Sequence, residues 1–454
     1  MGNLSSFNER IKGKNIDVIG IGISNRPLIR YLAEHGAAVT ARDRRKKEDL
    51  GGAYEELNEL GVKFSLGETY LNEMNGDIIF KTPGMRFDLP QLEEARARGA
   101  VVTSEMEVFL AVCPSHIAAV TGSDGKTTTT TLIYKLLSEA GYKTWVGGNI
   151  GTPLLTQADA MTKDDWVVLE LSSFQLHTMR RSAERALITN ISPNHLDMHK
   201  DYQEYIDAKK NVYLYQKPGD LLVLNRDNPV TCELGEHREC MYFSKEDQNA
   251  PVHLTDGQIF YCGKPVLAVS DIKIPGMHNV ENYMAAIGMV GDLVSPGVIQ
   301  KIAKTFGGVE HRIEFVRKVK GVSYYNSSID SSPNRTKNTL AVFPEKVILI
   351  AGGKDKGIPY DEIGDPIAEH AKAVILIGAT SDKIREAALA AFARRGMEPV
   401  PIRQAQKYSQ AVAMAAEMAD EGDTVVLSPG STSFDMFRNF EERGNLYKQL
   451  VNQL

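Results

Sequence analysis

His116-Ile117-Ala118-Ala119-Val120-Thr121-Gly122-Ser123-Asp124-Gly125-Lys126-Thr127-Thr128 runs from a short apolar stretch through a glycine-bounded turn into the start of a helical pattern. A strand that turns this way into a helix gathers backbone amides and the positive helix end at one point, where phosphate binds. Gly122 and Gly125 let the main chain approach phosphate closely, and Lys126 supplies positive charge. The Thr127 hydroxyl is suited to a magnesium ion. Ser123, Asp124 and Thr128 complete the stretch expected to contact ATP. A standard Walker A loop has one more glycine five residues before its Gly-Lys pair; Val120 stands there, so this is the shorter variant.

The same alternation extends in both directions. Residues 16–20, 38–41 and 77–80 read as strands, with a helix over 27–35. Residues 166–171 and 186–190 continue the central block. A third block has strands at 347–351, 373–377 and 424–427 and a helix over 382–395. Strands alternating with helices imply parallel sheets covered by helices. Asp256-Gly257 lies between β-prone runs over 250–268 and predicts an antiparallel hairpin. With 454 residues the chain is too long for one core. The expected fold class is α/β in three domains: a Rossmann-like N-terminal domain (1–106), a central P-loop ATPase-like domain with a small antiparallel extension (107–309), and a Rossmann-like C-terminal domain (310–454).

Apolar residues make up 43% of the chain and charged residues 24%, the balance of a globular protein. The net charge of -6 opposes a polyanion binder, so no nucleic-acid partner is expected. The basic run Arg42 to Lys47, interrupted by Asp43, reads as a solvated loop that could also hold an anionic substrate. Cys113, Cys232, Cys240 and Cys262 form neither a disulfide framework nor a zinc spacing, which suits a reducing cytoplasm. No apolar run reaches the roughly 18 residues that a membrane span needs, and no membrane insertion is expected.

Val18-Ile19-Gly20-Ile21-Gly22-Ile23-Ser24-Asn25 is similar to a dinucleotide-binding turn, with Asn25 in place of the third glycine. Asp43 stands where such sites carry an acidic residue for ribose or another donor. Together with Thr82-Pro83-Gly84 after the strand at 77–80, the turn favours a diphosphate-bearing ligand. A plain strand-to-helix turn and a Pro-Gly turn are the alternatives.

Beyond the phosphate loop come Gly147-Gly148-Asn149-Ile150-Gly151, Glu170-Leu171-Ser172-Ser173-Phe174-Gln175-Leu176 and Asn194-His195-Leu196-Asp197. With these segments the whole chain resembles the Mur ligase family, and within it the branch that joins D-glutamate to UDP-N-acetylmuramoyl-L-alanine. The resemblance implies ATP, two magnesium ions, both small-molecule substrates and a monomer. It implies Thr127, Glu170 and His195 as magnesium ligands and Lys126, His195 and Lys209 as catalytic residues. Lys209, in Ala208-Lys209-Lys210-Asn211-Val212-Tyr213, matches the lysine that is carbamylated into a further metal-binding anion, with Lys210 as the alternative register. Asn279 and Asn282 would bound the adenine pocket, and Arg312 would reach the ATP. Gly22, Ile23, Ser24, Asp43, Arg44, Thr82, Pro83, Gly84 and Asn149 fall on the UDP-substrate side. Ser331, Lys356, Ser433 and Phe440 fall on the D-glutamate side.

One segment departs from the family pattern. Where many members read Asn-Asp-Ser-Lys, this chain reads Asn326-Ser327-Ser328-Ile329-Asp330-Ser331, which makes Asp330 the candidate to replace the missing acid. A folylpolyglutamate synthase-like ligase shares the short phosphate loop and glutamate, but the UDP-type first domain argues against it. A nucleotide-binding regulator without catalysis is opposed by the retained Lys126, Glu170, His195 and Lys209.

Overall fold

β1 (Asn15–Ile19), β2 (Ala38–Asp43), β3 (Lys63–Leu66), β4 (Ile78–Phe80) and β5 (Val101–Thr103) form a wholly parallel sheet ordered β3-β2-β1-β4-β5. They belong to a computed structural model that describes residues 3–22, 25–193, 199–236, 238–355 and 357–454. The order reverses between β1 and β4, the place where open α/β sheets form a ligand crevice at their carboxyl ends.

The second sheet contains β6 (His116–Thr121), β7 (Thr144–Gly148), β8 (Trp166–Glu170), β9 (Arg185–Ile188), β10 (Leu221–Asn225) and β11 (Met241–Ser244). Its edge is β12 (Val252–Thr255), β13 (Gln258–Tyr261) and β14 (Lys264–Ala268), for an order of β14-β13-β12-β11-β10-β9-β6-β8-β7. The expected hairpin is present: Asp256 and Gly257 both have positive φ, 48° and 71°, and turn β12 into antiparallel β13. β14 pairs antiparallel with β13.

The third sheet runs β15 (Glu314–Val319), β16 (Val322–Asn326), β20 (Thr424–Leu427), β17 (Val347–Ala351), β18 (Ala371–Ile377) and β19 (Ile402–Ala405). Its β15–β16 hairpin, turned at Lys320 (φ 48°) and Gly321 (φ 82°), is absent from the sequence reading. Glu314–Val319 is no apolar run and is nowhere fully buried, so nothing in it signals a strand until β16 supplies its partner.

Residues 1–271 with 280–302 form one compact unit, and 272–279 with 303–454 form another. The first two sheets share the first unit because one apolar cluster joins Phe7, Val18 and Phe109 to Leu155, Leu169 and Ile188. The expected boundary at 106/107 falls inside the helix Glu105–Val112, whose Met106 and Phe109 belong to that cluster. The helix Leu4–Ile11, unanticipated from sequence, is capped by the Asn3 side chain and packs Leu4, Phe7 and Ile11 on the same core. No described helix is long and apolar enough to cross a membrane. All four cysteines are free thiols.

The basic run at 42–47 is corrected by the structure. Arg42 lies on β2, is buried, and pairs with Asp17 at 2.6 Å while donating to the carbonyls of Tyr70, Asn72 and Glu73. Arg44, Arg45, Lys46 and Lys47 form the solvated surface expected there, with Arg45 also paired to Asp43.

In the second unit the guanidinium of Arg443 is only 1% exposed. It donates to Ser328 Oγ (2.9 Å), Ser328 O (2.6 Å) and Ser431 O (3.0 Å), tying the loop after β16 to the loop after β20. Arg443→Met leaves these acceptors without their donor, and a loss of about 2–4 kcal/mol is expected. Hydrogen exchange at the β16 and β20 amides measures it; unchanged protection would show the contacts to be dispensable.

Candidate active site

β6 lies between β9 and β8, so the phosphate loop, Thr189-Asn190 and Glu170 emerge side by side at the carboxyl ends of three adjacent strands. The loop is clamped to the end of β9. Thr189 Oγ1 donates to Asp124 O (2.6 Å), Asp124 N to Asn190 Oδ1 (3.0 Å) and Ser123 N to Asn190 O (2.9 Å). Ser123 Oγ bonds Ser192 O and the Tyr205 hydroxyl, both at 3.0 Å. Gly122, at φ 151°, admits no side chain because a Cβ would collide with Thr189 Oγ1. Lys126, first residue of the helix Lys126–Glu139, donates to Gly122 O and Ser123 O at 2.9 Å each, and Thr127 follows half-buried in the first turn.

Glu170 ends β8 with 1% exposure. Asn149 holds it, donating Nδ2 to Glu170 Oε1 (2.8 Å) and its backbone N to Glu170 O (2.7 Å). Glu170 Oε2 is buried without a hydrogen-bond partner among the described residues. A buried carboxylate oxygen left in that state is costly unless a cation meets it. With the Thr127 hydroxyl it makes a set of hard oxygen donors, which fits magnesium. His195 lies outside the described residues.

Lys209, on the helix Tyr202–Lys210, is as buried as Glu170. Its Nζ donates to Gly122 O at 2.7 Å, lies 3.4 Å from Thr121 Oγ1, and sits 4.6 Å over the Tyr205 ring. Burial, with the Lys126 charge adding to it, pushes this amine well below its ordinary pKa. Lys210 is instead half-buried and pairs with Asp207, so Lys209 is the inward lysine of the two.

In the first sheet, Gly20 (φ 91°) brings the turn after β1 against Thr82 after β4. Asn25 Nδ2 closes the turn on Ile19 O at 2.9 Å. Asp43 Oδ2 accepts from Ile21 N (2.7 Å) and Arg45 Nη2 (2.8 Å), and Oδ1 accepts from Arg45 N and Nε. Burial acts upward on this carboxyl, but the bonds from Arg45 and Ile21 prevail and hold it at about 2. Both of its oxygens are thus engaged by the protein's own loop. Arg44 is exposed and pairs with Glu68, Gly22 is exposed, and Ile23 and Ser24 lie outside the described residues.

Pro83 lines a cavity with Asn25, Ser104, Gly148, Gly151 and Gln175, so the loops of the first and second sheets meet there. The sequence reading missed its one cation, Lys81, which is 3% exposed. Burial pushes this amine below its ordinary pKa. A lysine closing an apolar strand beside Thr82-Pro83-Gly84 was the available signal.

The third sheet brings its two expected half-sites together. Gly352 N donates to Pro429 O and Lys354 N to Thr432 O, both at 2.8 Å, so the glycine loop after β17 and the serine-rich loop after β20 run side by side. Ser433 is buried in the latter, and Phe440 opens the helix Phe440–Asn452 with its ring edge-on to His311. Ser331 is half-buried, and Lys356 lies outside the described residues. Asp330 does not replace the missing acid at a surface: it is buried and accepts from Thr339 Oγ1 (2.7 Å) and Ser428 Oγ (2.8 Å). Of the adenine-side pair on the helix Met277–Val290, Asn279 donates to Pro275 O, while Asn282 Oδ1 accepts from Thr129 Oγ1 at 3.2 Å. Arg312 bridges to Val309.

Three family profiles match: "Mur ligase MurD-like, N-terminal domain" over residues 14–104, "Mur ligase middle domain" over 120–290 and "Mur ligase, glutamate ligase domain" over 311–430. The chain is 53% identical to the "UDP-N-acetylmuramoylalanine--D-glutamate ligase" of Ruminiclostridium cellulolyticum and 51% identical to that of Acetivibrio thermocellus. Each alignment covers 99% of both chains. Among solved structures, the UDP-N-acetylmuramate-alanine ligase MurC of Thermotoga maritima shares the fold, with a TM-score of 0.59 at 18% identity over 97% of this chain and 99% of that one. The clamped phosphate loop, the three parallel-rich sheets and these matches lead to one assignment: the chain belongs to the Mur ligase family.

Proposed function

We propose that this enzyme adds D-glutamate to UDP-N-acetylmuramoyl-L-alanine in the cytoplasm, cleaving ATP to ADP and phosphate. One observation carries the reading at atomic level: Glu170 Oε2, buried and without a partner among the described residues, stands at the strand end beside the phosphate loop. The names of the relatives supply the substrates.

A carboxylate oxygen of the UDP substrate attacks the γ-phosphorus of ATP, and the bond to the β-phosphate oxygen breaks, giving an acyl phosphate and ADP. The amine of D-glutamate then attacks the acyl carbon, phosphate leaves, and the nitrogen loses a proton. Such reactions depend on positioning and charge stabilisation. Gly122 and Gly125 admit the phosphates, and Lys126 exchanges the carbonyls of Gly122 and Ser123 for phosphate oxygens. Magnesium, when bound, neutralises charge on the transferring group. Thr127, Glu170 and His195 would hold it, with Asn149 orienting the Glu170 carboxylate.

Lys209 serves this site best as a carbamate. Its buried amine, held well below its ordinary pKa, attacks carbon dioxide as the free base; the N–C bond forms, one proton leaves, and an N-carboxylate results. The division of labour among 1–106, 107–309 and 310–454 is part of the same proposal. Gly22, Ile23, Ser24, Arg44, Thr82, Pro83 and Gly84 face the UDP substrate, with Lys81 as an added cation and Asp43 shaping the loop. Ser331, Lys356, Ser433 and Phe440 face D-glutamate, and Asn279, Asn282 and Arg312 the nucleotide.

Phosphate release from ATP, assayed with UDP-N-acetylmuramoyl-L-alanine and a panel of D- and L-amino acids, tests the reaction. Release with D-glutamate alone is expected; release that depends on a folate overturns it. Carbon-13 bicarbonate is expected to give a carbamate resonance that Lys209→Ala abolishes, and a resonance surviving that change would move the site elsewhere. Lys81→Met removes a charge-assisted bond and is expected to raise KM for the UDP substrate about 10–100-fold with kcat largely kept. An unchanged KM would leave Lys81 a purely structural cation.

A further inference from the structure

Neither the phosphate loop nor the ligase chemistry assigns a part to His177, His199 and Glu204, although the two histidines border a small cavity with Lys81, Pro83 and Gly84. His177 follows the short helix Ser173–Leu176, His199 precedes the helix Tyr202–Lys210, and Glu204 sits in the first turn of that helix. His177 Nε2 is 3.6 Å from Glu204 Oε1, and His199 Nδ1 is 3.5 Å from Glu204 Oε2. All three donor atoms fall within 4.8 Å of one another. A tetrahedral zinc ion with bonds of about 2.0–2.1 Å has ligand atoms about 3.3 Å apart; each imidazole lies within tenths of an ångström of that spacing from one Glu204 oxygen, and the carboxylate has only to turn to bring a single oxygen to both.

We infer that His177, His199 and Glu204 form a second metal site, of the two-imidazole, one-carboxylate class that takes zinc. It is separate from the centre at Thr127 and Glu170 and stands independently of the ligase reading. His199 is 4% exposed and its ring is fixed: Nε2 bonds Ser173 Oγ at 2.9 Å, one face stacks on Phe174 at 5.4 Å, and Tyr205 meets it edge-on at 5.3 Å. Anchoring one imidazole nitrogen so that the other faces the metal is the usual outer-shell arrangement of a histidine ligand. Phe87 meets His177 edge-on at 4.6 Å.

Arg86 is the competitor for Glu204. It holds Asp88 through two bonds of 2.8 Å and reaches Glu204 at 3.3 Å, so an ion displaces its longer contacts and leaves it paired with Asp88. Entry is open, because Phe87, His177 and Glu204 line a groove with Asp201, Gln203 and Asp207 from which a water completes the coordination. The bound ion ties the helix that carries Lys209 to the turn that follows Glu170.

The test is a cobalt titration of the full-length chain, with zinc competition read by a chelating dye. One equivalent of cobalt is expected to give the visible absorption of a tetrahedral ion, displaced by zinc and retained in Glu170→Gln. His177→Asn, on a half-buried ring, and Glu204→Gln are each expected to weaken binding more than about 100-fold. Ser173→Ala is expected to weaken it about 10-fold, the range of an outer-shell loss. Circular dichroism checks that each variant is folded. Absence of the tetrahedral band overturns the proposal, as does a band indifferent to His177→Asn and Glu204→Gln. A thiolate-to-cobalt band overturns it by assigning the ion to the cysteines, and loss of the band in Glu170→Gln by assigning it to the magnesium centre.

Discussion

The Lys209 amine against the Gly122 carbonyl is the contact on which the catalytic arrangement rests. A lysine with 1% exposure cannot remain an ordinary ammonium ion without a partner charge. Two cations around one carbonyl would repel, since Lys126 also donates to Gly122 O. Burial, with the Lys126 charge adding to it, pushes the Lys209 amine well below its ordinary pKa and so relieves that repulsion. Gly122 is required for the same reason: any side chain would push the loop from Thr189 and move the carbonyl that both lysines share.

Sheet order explains why these groups meet although they are distant in sequence. In the second sheet, strands after β6 are added on both sides of it, so its carboxyl end is flanked by those of β8 and β9. The first sheet repeats the device between β1 and β4, where Gly20 meets Thr82. In the third sheet, β20 inserts between β16 and β17 and lays its serine-rich loop along the glycine loop. Each crevice follows from topology, and side chains then determine what it accepts.

Those sheets were legible in the sequence wherever a strand was apolar and ended in a glycine turn. Val347–Ala351 and Thr424–Leu427 match residue for residue, and Asp256-Gly257 turned where its positive-φ preference required. Glu170 was visible as the carboxylate closing an apolar strand. What stayed hidden depends on partners far along the chain. Arg42 looks like surface until Asp17, on the neighbouring strand, takes its charge inside. Lys81, Thr189 and the β15–β16 hairpin likewise gain meaning only from residues that folding brings to them. Asp43 stood out by its position as a carboxylate for ribose or another donor, but the donors that fill its oxygens, Ile21 N and Arg45, carry no spacing rule.

The departure at Asn326-Ser327-Ser328 shows how a site can lose two charged residues and keep its frame. Ser328 Oγ donates to Phe440 O at 2.7 Å and accepts from Arg443, so a hydroxyl links the segment to the helix that presents Phe440. Asp330, pushed above its ordinary pKa by full burial, collects hydroxyls from Thr339 and Ser428 and fixes the start of the serine-rich loop. Asn326, Ser327 and Ser328 are themselves fully buried, and Arg443 and Asp330 hold the loops in register through these hydroxyls and those of Thr339 and Ser428.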